Sequence, residues 1–237
     1  MEFGFAPHMS FGLIGEEAVV LDLGADRYVR LGAAQASELV NLAAPRIRSC
    51  DRGILAALAE RGILARGSDI VPVPVVALPV RGSALESGFG DEGPILSAPR
   101  CRLRATEVGA ARLGAGLWLR WAGLAATMAR WQALRPEIPA RGDDDLDSGC
   151  AAVGASVAAD TLARSYADAR RVVPARRRCV PDSLALLRCL WRHGHDAELY
   201  FGVRLTPFAA HCWVQAAGQV LSDPLDSIAE FTPVFRL

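Results

Sequence analysis

The order of apolar and polar residues predicts a small α+β module in the first part of the chain. Apolar residues alternate on either side of a turn at Gly24–Asp26 within residues 17–31, which is typical of a β-hairpin. Apolar residues at helical spacing, followed by proline or glycine, then predict two helices and a short closing strand, over 33–43, 51–61 and 63–64. We expect residues 1–66 to form one domain.

A run of prolines separates this module from the rest of the chain. Residues 67–99 contain five of them: Pro72, Pro74, Pro79, Pro94 and Pro99. Repeated prolines exclude a helix, so we expect an extended linker there. Helical spacing returns over 103–134 and 151–169, and residues 100–237 are expected to form a second domain. A helix bundle followed by an antiparallel sheet would place the protein in the α+β class.

Cys179 stands at the start of a strongly patterned helix. The apolar residues that recur there at helical spacing are Leu184, Leu187, Leu190 and Trp191. Pro181 suits a first helical turn, and Gly194 suits the position after the last. At such a helix start the backbone dipole and the unpaired N–H groups favour a thiolate, and the arginines at 176–178 add positive potential. The alternative is that Cys179 is simply a small buried residue.

The strands after this helix carry the partners that a cysteine nucleophile needs. Residues 197–205 have strand composition, and His211 and Trp213 share one face of the next strand. A three-residue turn with a left-handed glycine would place Asp223 opposite His211. Cys179, His211 and Asp223 would then form a triad in which the imidazole exchanges the thiol proton and the carboxylate orients the imidazole. We expect this sheet face to pack on the helix of Cys179, with Trp213 as a cleft wall; the alternative for His211 is a core histidine.

Composition and charge exclude several classes of function. The chain of 237 residues has 26 basic and 26 acidic residues, so no global field draws it to nucleic acid or to an anionic membrane. All the basic residues are arginine, and the absence of lysine excludes a P-loop or a pyridoxal enzyme. Mean hydropathy is +0.22, yet Arg120 interrupts the most apolar stretch, 113–129. We therefore interpret that stretch as a buried or partner-facing helix rather than a membrane span.

The cysteines and the acidic and histidine clusters predict no metal site. The six cysteines contain no Cys-x-x-Cys pair, which argues against a zinc ribbon or a redox motif. The first ten residues lack the basic region of a secretory signal, so we expect a cytoplasmic protein with reduced thiols. Residues 143–145 are all aspartate, and His193 and His195 bracket a helix end. A solvated loop and a cation at a helix C-terminus explain these two clusters better than a metal does.

Three stretches around the predicted triad carry a family resemblance. RRRCVPDSLALLRCLWRHG, YFGVRLTPFAAHCWVQ and VLSD resemble the B proteins of lasso-peptide biosynthesis. Those proteins are transglutaminase-like cysteine peptidases that remove the leader from a ribosomally made precursor. The resemblance implies that Cys179, His211 and Asp223 are catalytic. Asp182 departs from the motif, because a basic residue is common at that position and an acid changes the charge beside the nucleophile.

The N-terminal module carries a second resemblance. VVLDLGADRYVRLGAAQASELVNLA and ALAERGIL resemble the PqqD-like precursor-recognition domain, which has a winged-helix fold and binds leader peptides. The segment between its two helices is short for that family. The resemblance implies that the leader adds as a strand at the hairpin edge. The residues expected to contact it are Tyr28, Val29, Arg30, Leu31 and Leu58.

The resemblance also implies partners and leaves alternatives open. The partners would be the precursor peptide and a separate, asparagine-synthetase-like cyclase. Leader removal is ATP-linked in parts of the family, although this sequence contains no nucleotide-binding motif. The same triad would serve a transglutaminase-type acyl transferase, in which an amine rather than water takes the acyl group. A non-catalytic leader-binding or regulatory protein is the other alternative; a DNA-binding wing is disfavoured because acidic residues balance the basic ones in this module.

Overall fold

The computed structural model describes residues 3–43, 50–86, 102–136 and 149–237, with side chains in the last range from residue 158 onward. The strands are β1 (Phe3–Phe5), β2 (Met9–Ile14), β3 (Glu17–Asp22), β4 (Arg27–Leu31), β5 (Leu64–Arg66), β6 (Gly82–Ser83), β7 (Glu198–Leu205), β8 (Phe208–Ala216), β9 (Gln219–Val220) and β10 (Thr232–Arg236). The helices are α1 (Ala33–Ala43), α2 (Arg52–Glu60), α3 (Ala105–Leu134), α4 (Gly149–Arg171), α5 (Cys179–Arg192) and α6 (Leu225–Ile228).

The N-terminal module is an antiparallel sheet, ordered β2-β3-β4, with α1 and α2 on one face. The predicted hairpin is confirmed as β3 and β4, in which Ala18 pairs with Leu31. The second predicted helix is also confirmed: Asp51 caps α2 by accepting hydrogen bonds from two backbone N–H groups, and Gly62 ends it with φ of 74°. β1 and β2 were not predicted, because glycines interrupt their short apolar runs.

β3 is buried on both faces and joins the module to the rest of the molecule. Ala18 and Val20 pack in one cluster with α1 and α2. Val19 and Leu21 face the other way, into the large cluster that contains α5 and the C-terminal sheet. The near-continuous apolar sequence of β3 is what a strand covered on both sides requires. The N-terminal module is therefore docked on the C-terminal part through a shared core.

The C-terminal sheet has five strands in the order β10-β7-β8-β9-β6. β7 and β8 form a long antiparallel hairpin, from the Glu198–Gln215 pair to the Leu205–Phe208 pair. α5 packs on the sheet face that carries Cys212, and α3 and α4 pack against α5. Helices packed on a mainly antiparallel sheet confirm the predicted α+β class.

The segment predicted as a linker is extended, but its described part is packed rather than free. Phe11 of β2 forms a bridge with Pro74, and the Val75 N–H donates to the Phe11 carbonyl oxygen at 2.8 Å. Gly82 and Ser83 pair in parallel with β9 and so complete the C-terminal sheet. The residues between the prolines keep their N–H groups, and these pair with both sheets. Residues 87–99 lie outside the described residues, and the domain boundaries stay a prediction.

α3 bends within the range 103–134 that the sequence predicts as helical. Gly123 has a φ of 78°, which interrupts the helical backbone and leaves two segments at an angle. Val108, Ala115 and Trp131 are buried, whereas Trp121 is 80% exposed. In the described parts of the chain, no helix combines the length and the apolarity needed to cross a bilayer.

Candidate active site

The structure places Cys179 at the first position of α5. Arg178 has an extended backbone before it, and Gly194, with φ of 79°, follows the helix end as the sequence predicts. The thiol is partly exposed and faces a cavity of about 960 Å³. The backbone N–H groups of Cys179 and Val180 have no acceptor within the helix, because they belong to its first turn. A nucleophile here lies against the positive end of the helix dipole.

Asp182 connects three helices beneath this cysteine. Its Oδ1 accepts from Arg112 Nε of α3 at 2.5 Å and from Arg170 Nε of α4 at 2.9 Å. Its Oδ2 accepts from the backbone N–H of Arg178 at 3.0 Å, which ties down the residue before the nucleophile. Two guanidinium groups therefore offset the acidic charge of Asp182, the residue that departs from the family motif. Sequence reasoning missed Arg112 and Arg170, since they lie on other helices, 70 and 12 residues away from Asp182.

His211 and Asp223 meet beside Cys179. Asp223 Oδ1 lies 3.0 Å from His211 Nε2, and the Ser222 hydroxyl donates to Asp223 Oδ2 at 2.5 Å. The hydroxyl of Ser83 holds the Asp223 backbone by donating to its carbonyl oxygen at 2.6 Å. Hydrogen bonds to Asp223 and then to Cys179 raise the pKa of His211 to about 9, against the opposing effect of burial. The imidazole is therefore cationic at neutral pH.

The turn before Asp223 differs from the predicted one. It has two residues, Ala217 and Gly218, with φ values of 49° and 77°, so Gln215 pairs with Val220. The prediction of a three-residue loop was wrong because Ala217 accepts a left-handed backbone, which matches the twist of a tight hairpin. The sheet pairing of β9 ends at Val220, and Asp223 reaches His211 from the loop that follows.

Trp213 supports the histidine instead of walling the cleft. Its ring stacks on the His211 ring, with centroids 6.4 Å apart and planes at 16°, and on Tyr200 at 5.8 Å. Trp213 is not among the residues lining the cavity, because it is buried against Gly202, where a Cβ would lie 2.6 Å from the indole ring. Its sheet face also forms a cluster separate from α5, so the expectation that this face packs on α5 was wrong: the opposite face, with Cys212, does so.

Comparison with known proteins adds a family to this geometry. A model of the transglutaminase-like superfamily matches residues 110–236, more than half of the chain. The chain belongs to the transglutaminase-like superfamily. It is also similar to the microcin J25-processing protein McjB of Escherichia coli, with 47% identity over 45 residues. That stretch covers 19% of this chain and 22% of McjB, about a fifth of the length of each. No solved structure matches the chain.

The superfamily match begins after the N-terminal module, whose resemblance to PqqD-like domains stays a prediction. Two side chains expected to touch a leader, those of Leu31 and Leu58, are fully buried in the module's own core and are not accessible to a leader side chain. Arg30 is exposed but paired with Glu17, at 2.7 and 2.8 Å. The apolar spacing of α2 predicts that Leu58 faces inward, which the structure confirms; the expected leader contacts at Leu31 and Leu58 came from the family resemblance.

The other two expected leader contacts have different positions. Val29 is half-buried and packs against the cluster of α1 and α2. Tyr28 points away from that cluster and lines the same cavity as Cys179 and His211, in edge contact with Phe208. Burial is the main cause of the raised pKa of Tyr28. The N-terminal module therefore supplies part of the wall around the transglutaminase-like site.

Among the other thiols and histidines of the described residues, Cys212 alone also lines the cavity of Cys179, and it is buried. Cys212 and Cys189 are buried, and burial raises the pKa of both, that of Cys189 to about 11. His193 caps the end of α5, with Nδ1 2.8 Å from the Cys189 carbonyl oxygen. Within the described ranges no three His, Cys, Asp or Glu side chains are grouped for a metal; residues 143–145 lie outside those ranges.

Proposed function

We propose that this chain is a lasso-peptide B protein, a cysteine peptidase that removes the leader from a ribosomally made precursor. The observation that carries the proposal is the meeting of Cys179, at a helix start, with the hydrogen-bonded pair of His211 and Asp223. The similarity to a microcin-processing protein and membership of the transglutaminase-like superfamily support the substrate class.

The three residues of the triad are sufficient for an acyl-transfer mechanism. The Cys179 sulfur attacks the carbonyl carbon of the last leader residue, while the imidazolium of His211 gives its proton to the departing core amine. Water then attacks the thioester; His211 takes the water proton, and the leader leaves with a new carboxylate as the thiolate is restored. Because Asp223 is hydrogen-bonded to Nε2 of His211, the other ring nitrogen, Nδ1, carries out these proton transfers. The first-turn N–H groups of α5 are suited to stabilising the oxyanion.

The N-terminal module is proposed to bind the leader. β4 is an edge of its three-stranded sheet, and a leader strand can add there through main-chain hydrogen bonds. Since Tyr28 of the same strand lines the catalytic cavity, a peptide that runs along β4 is delivered to Cys179. Binding at this edge would raise the effective concentration of the scissile bond.

The resemblance also suggests the context of the reaction. The released core would pass to a separate, asparagine-synthetase-like cyclase, and a requirement for ATP would follow from that resemblance alone. The unpaired thiols of the described cysteines suit a cytoplasmic site of action.

The alternative within the same chemistry is transfer of the acyl group to an amine. The two outcomes differ in the mass of the leader product: a free carboxylate after hydrolysis, and an amide after transfer. Mass spectrometry of the products separates them.

The decisive experiment compares cleavage of a co-expressed or purified precursor by the wild type and by Cys179→Ala. Removing the sulfur removes the nucleophile and little volume, so cleavage should fall by at least about 10³-fold. Cys50→Ala is the matched control, because Cys50 is half-exposed and lies in the N-terminal module. Cleavage by Cys179→Ala at the wild-type rate would end the peptidase proposal.

A further inference from the structure

The cavity at Cys179 carries an excess of positive charge that the triad does not use. Four guanidinium groups line it: Arg112 and Arg120 from α3, and Arg176 and Arg178 from the segment before α5. Asp26, on the β3–β4 turn, is the one acidic residue among its described lining residues.

Three of the four arginines have no acidic partner in the described part of the chain. Arg112 is paired with Asp182. Arg120, Arg176 and Arg178 form no ion pair within the described residues, and all three are exposed. These three are therefore available to an external anion.

The segment that carries two of them is held in place. The guanidinium of Arg170, which is 5% exposed, donates to the carbonyl oxygens of Val173 at 3.2 Å and Ala175 at 2.9 Å. Arg112 Nη2 donates to the carbonyl oxygen of Arg176 at 3.2 Å. A backbone fixed by two arginines presents its own side chains at a defined place, which lowers the entropy cost of binding there.

We propose that this cavity contains a carboxylate subsite, in which Arg120, Arg176 and Arg178 bind an acidic side chain of the peptide substrate close to the scissile bond. The inference deepens the proposed peptidase function and rests on it. A peptide carboxylate is favoured because Cys179 shares the cavity, so the chain being cut must enter it. Guanidinium groups match a carboxylate through paired N–H donors. A volume of about 960 Å³ leaves room for several substrate residues.

The subsite can be tested without a precursor, by alkylating Cys179 with iodoacetate and with iodoacetamide. In both reactions the sulfur forms a bond to the methylene carbon as iodide departs, and the reagents differ in the charge of the acid or amide group. At low ionic strength we expect the rate ratio of iodoacetate to iodoacetamide at Cys179 to exceed the ratio for the urea-unfolded chain by about tenfold.

The triple variant Arg120→Gln, Arg176→Gln, Arg178→Gln should lose most of that preference. The matched control is Arg177→Gln, since Arg177 is exposed in the same run but does not line the cavity. It should keep the wild-type ratio. His211 attracts iodoacetate in every variant, so the comparison between variants isolates the arginines. A triple variant with the wild-type ratio, or a wild type with the unfolded-chain ratio, overturns the proposal.

A protection experiment distinguishes a peptide carboxylate from a phosphate. Ac-Ala-Glu-Ala-NH2 should slow the reaction of Cys179 with iodoacetamide, and the matched Ac-Ala-Gln-Ala-NH2 should not. Protection by inorganic pyrophosphate at lower concentrations than by the glutamate peptide would overturn the assignment to a carboxylate. Neither experiment involves cleavage, so the failure of the subsite can be told apart from a failure of the peptidase proposal, which the Cys179→Ala comparison tests.

Discussion

The pair of His211 and Asp223 sets the charge state of the candidate active site. The raised pKa of His211, about 9, means that the imidazolium is already present at neutral pH and can hold the negative charge of a thiolate beside it. The first cause of the shift is the Asp223 hydrogen bond. The His211 ring thus stacks on Trp213 and is hydrogen-bonded to Cys179, and the Asp223 carboxylate keeps the imidazole protonated.

Replacing Asp223 by Asn should therefore lower the pKa of His211 and reduce cleavage by about 10²–10⁴-fold, because the imidazole loses its charged partner. NMR titration of the His211 ring measures the shift directly. Asp226→Asn is the matched control, as Asp226 is exposed and makes no contact with His211. An unchanged His211 titration in Asp223→Asn would show that another group sets the charge.

The same shift affects stability in a defined pH window. His211 binds its proton more tightly in the folded state, so its contribution to the free energy of unfolding is fully present below the unfolded pKa of about 6.5. The contribution is lost as pH rises toward about 9. Between these pH values, the free energy of unfolding measured with denaturant should decline less in Asp223→Asn than in the wild type.

At the scale of elements, Asp182 joins α3, α4 and α5 at the nucleophile. Arg112 and Arg170 approach it from two different helices, and the side chains of both arginines are largely buried, with 11% and 6% exposed. A buried charge network of this kind stabilises the fold because each charge is paired. A buried arginine without its counter-charge would lower the free energy of unfolding. The start of α5 depends on side chains from two other helices.

Asp182→Asn leaves both arginines without their counter-charge and should lower the free energy of unfolding by about 3–5 kcal/mol. The matched control is Asp168→Asn, whose pair with Arg171 lies on the surface with 76% and 72% of the side chains exposed. Its effect should stay within about 1 kcal/mol. Urea unfolding followed by circular dichroism measures both; equal effects would show that the Asp182 network adds nothing.

At the scale of the whole molecule, the N-terminal module and the transglutaminase-like part share one core. Val19 and Leu21 of β3 lie in the same cluster as α5, and Ser10 of β2 donates to the carbonyl oxygen of Val234 in β10 at 2.6 Å. A module packed in this way differs from a recognition domain that is joined to its enzyme only by a flexible linker. We expect the two parts to unfold together.

Leu21→Ala tests this coupling, because all five tryptophans lie beyond residue 100 and report only on the C-terminal part. Leu21 is fully buried, so the substitution should shift the tryptophan-detected unfolding by about 2–5 kcal/mol. Leu13→Ala, in the same module but 37% exposed, should shift it far less. A tryptophan transition unmoved by Leu21→Ala would mean that the modules unfold independently.

The local pattern of the sequence determined the elements that carry Cys179 and His211. The spacing of leucines in 184–190, Gly194 and the position of Pro181 placed Cys179 at a helix start, and the strands around His211 followed from composition. These features depend on neighbours within a few residues, which periodicity and capping report directly. The class α+β was predictable for the same reason. Membership of the superfamily was predictable from a different source, the resemblance of the stretches around Cys179, His211 and Asp223 to a known family.

Only the tertiary structure decided how these elements meet. The position of Asp223 depends on a tight turn and on Ser83, and the charge at the helix start depends on Arg112 and Arg170. Two cores formed by residues distant in sequence decide that Leu31 and Leu58 are buried. They also decide the direction in which Tyr28 points. Local pattern shows that a residue is apolar and on which face it lies, but the partner of that face is set by long-range packing, which no local spacing records.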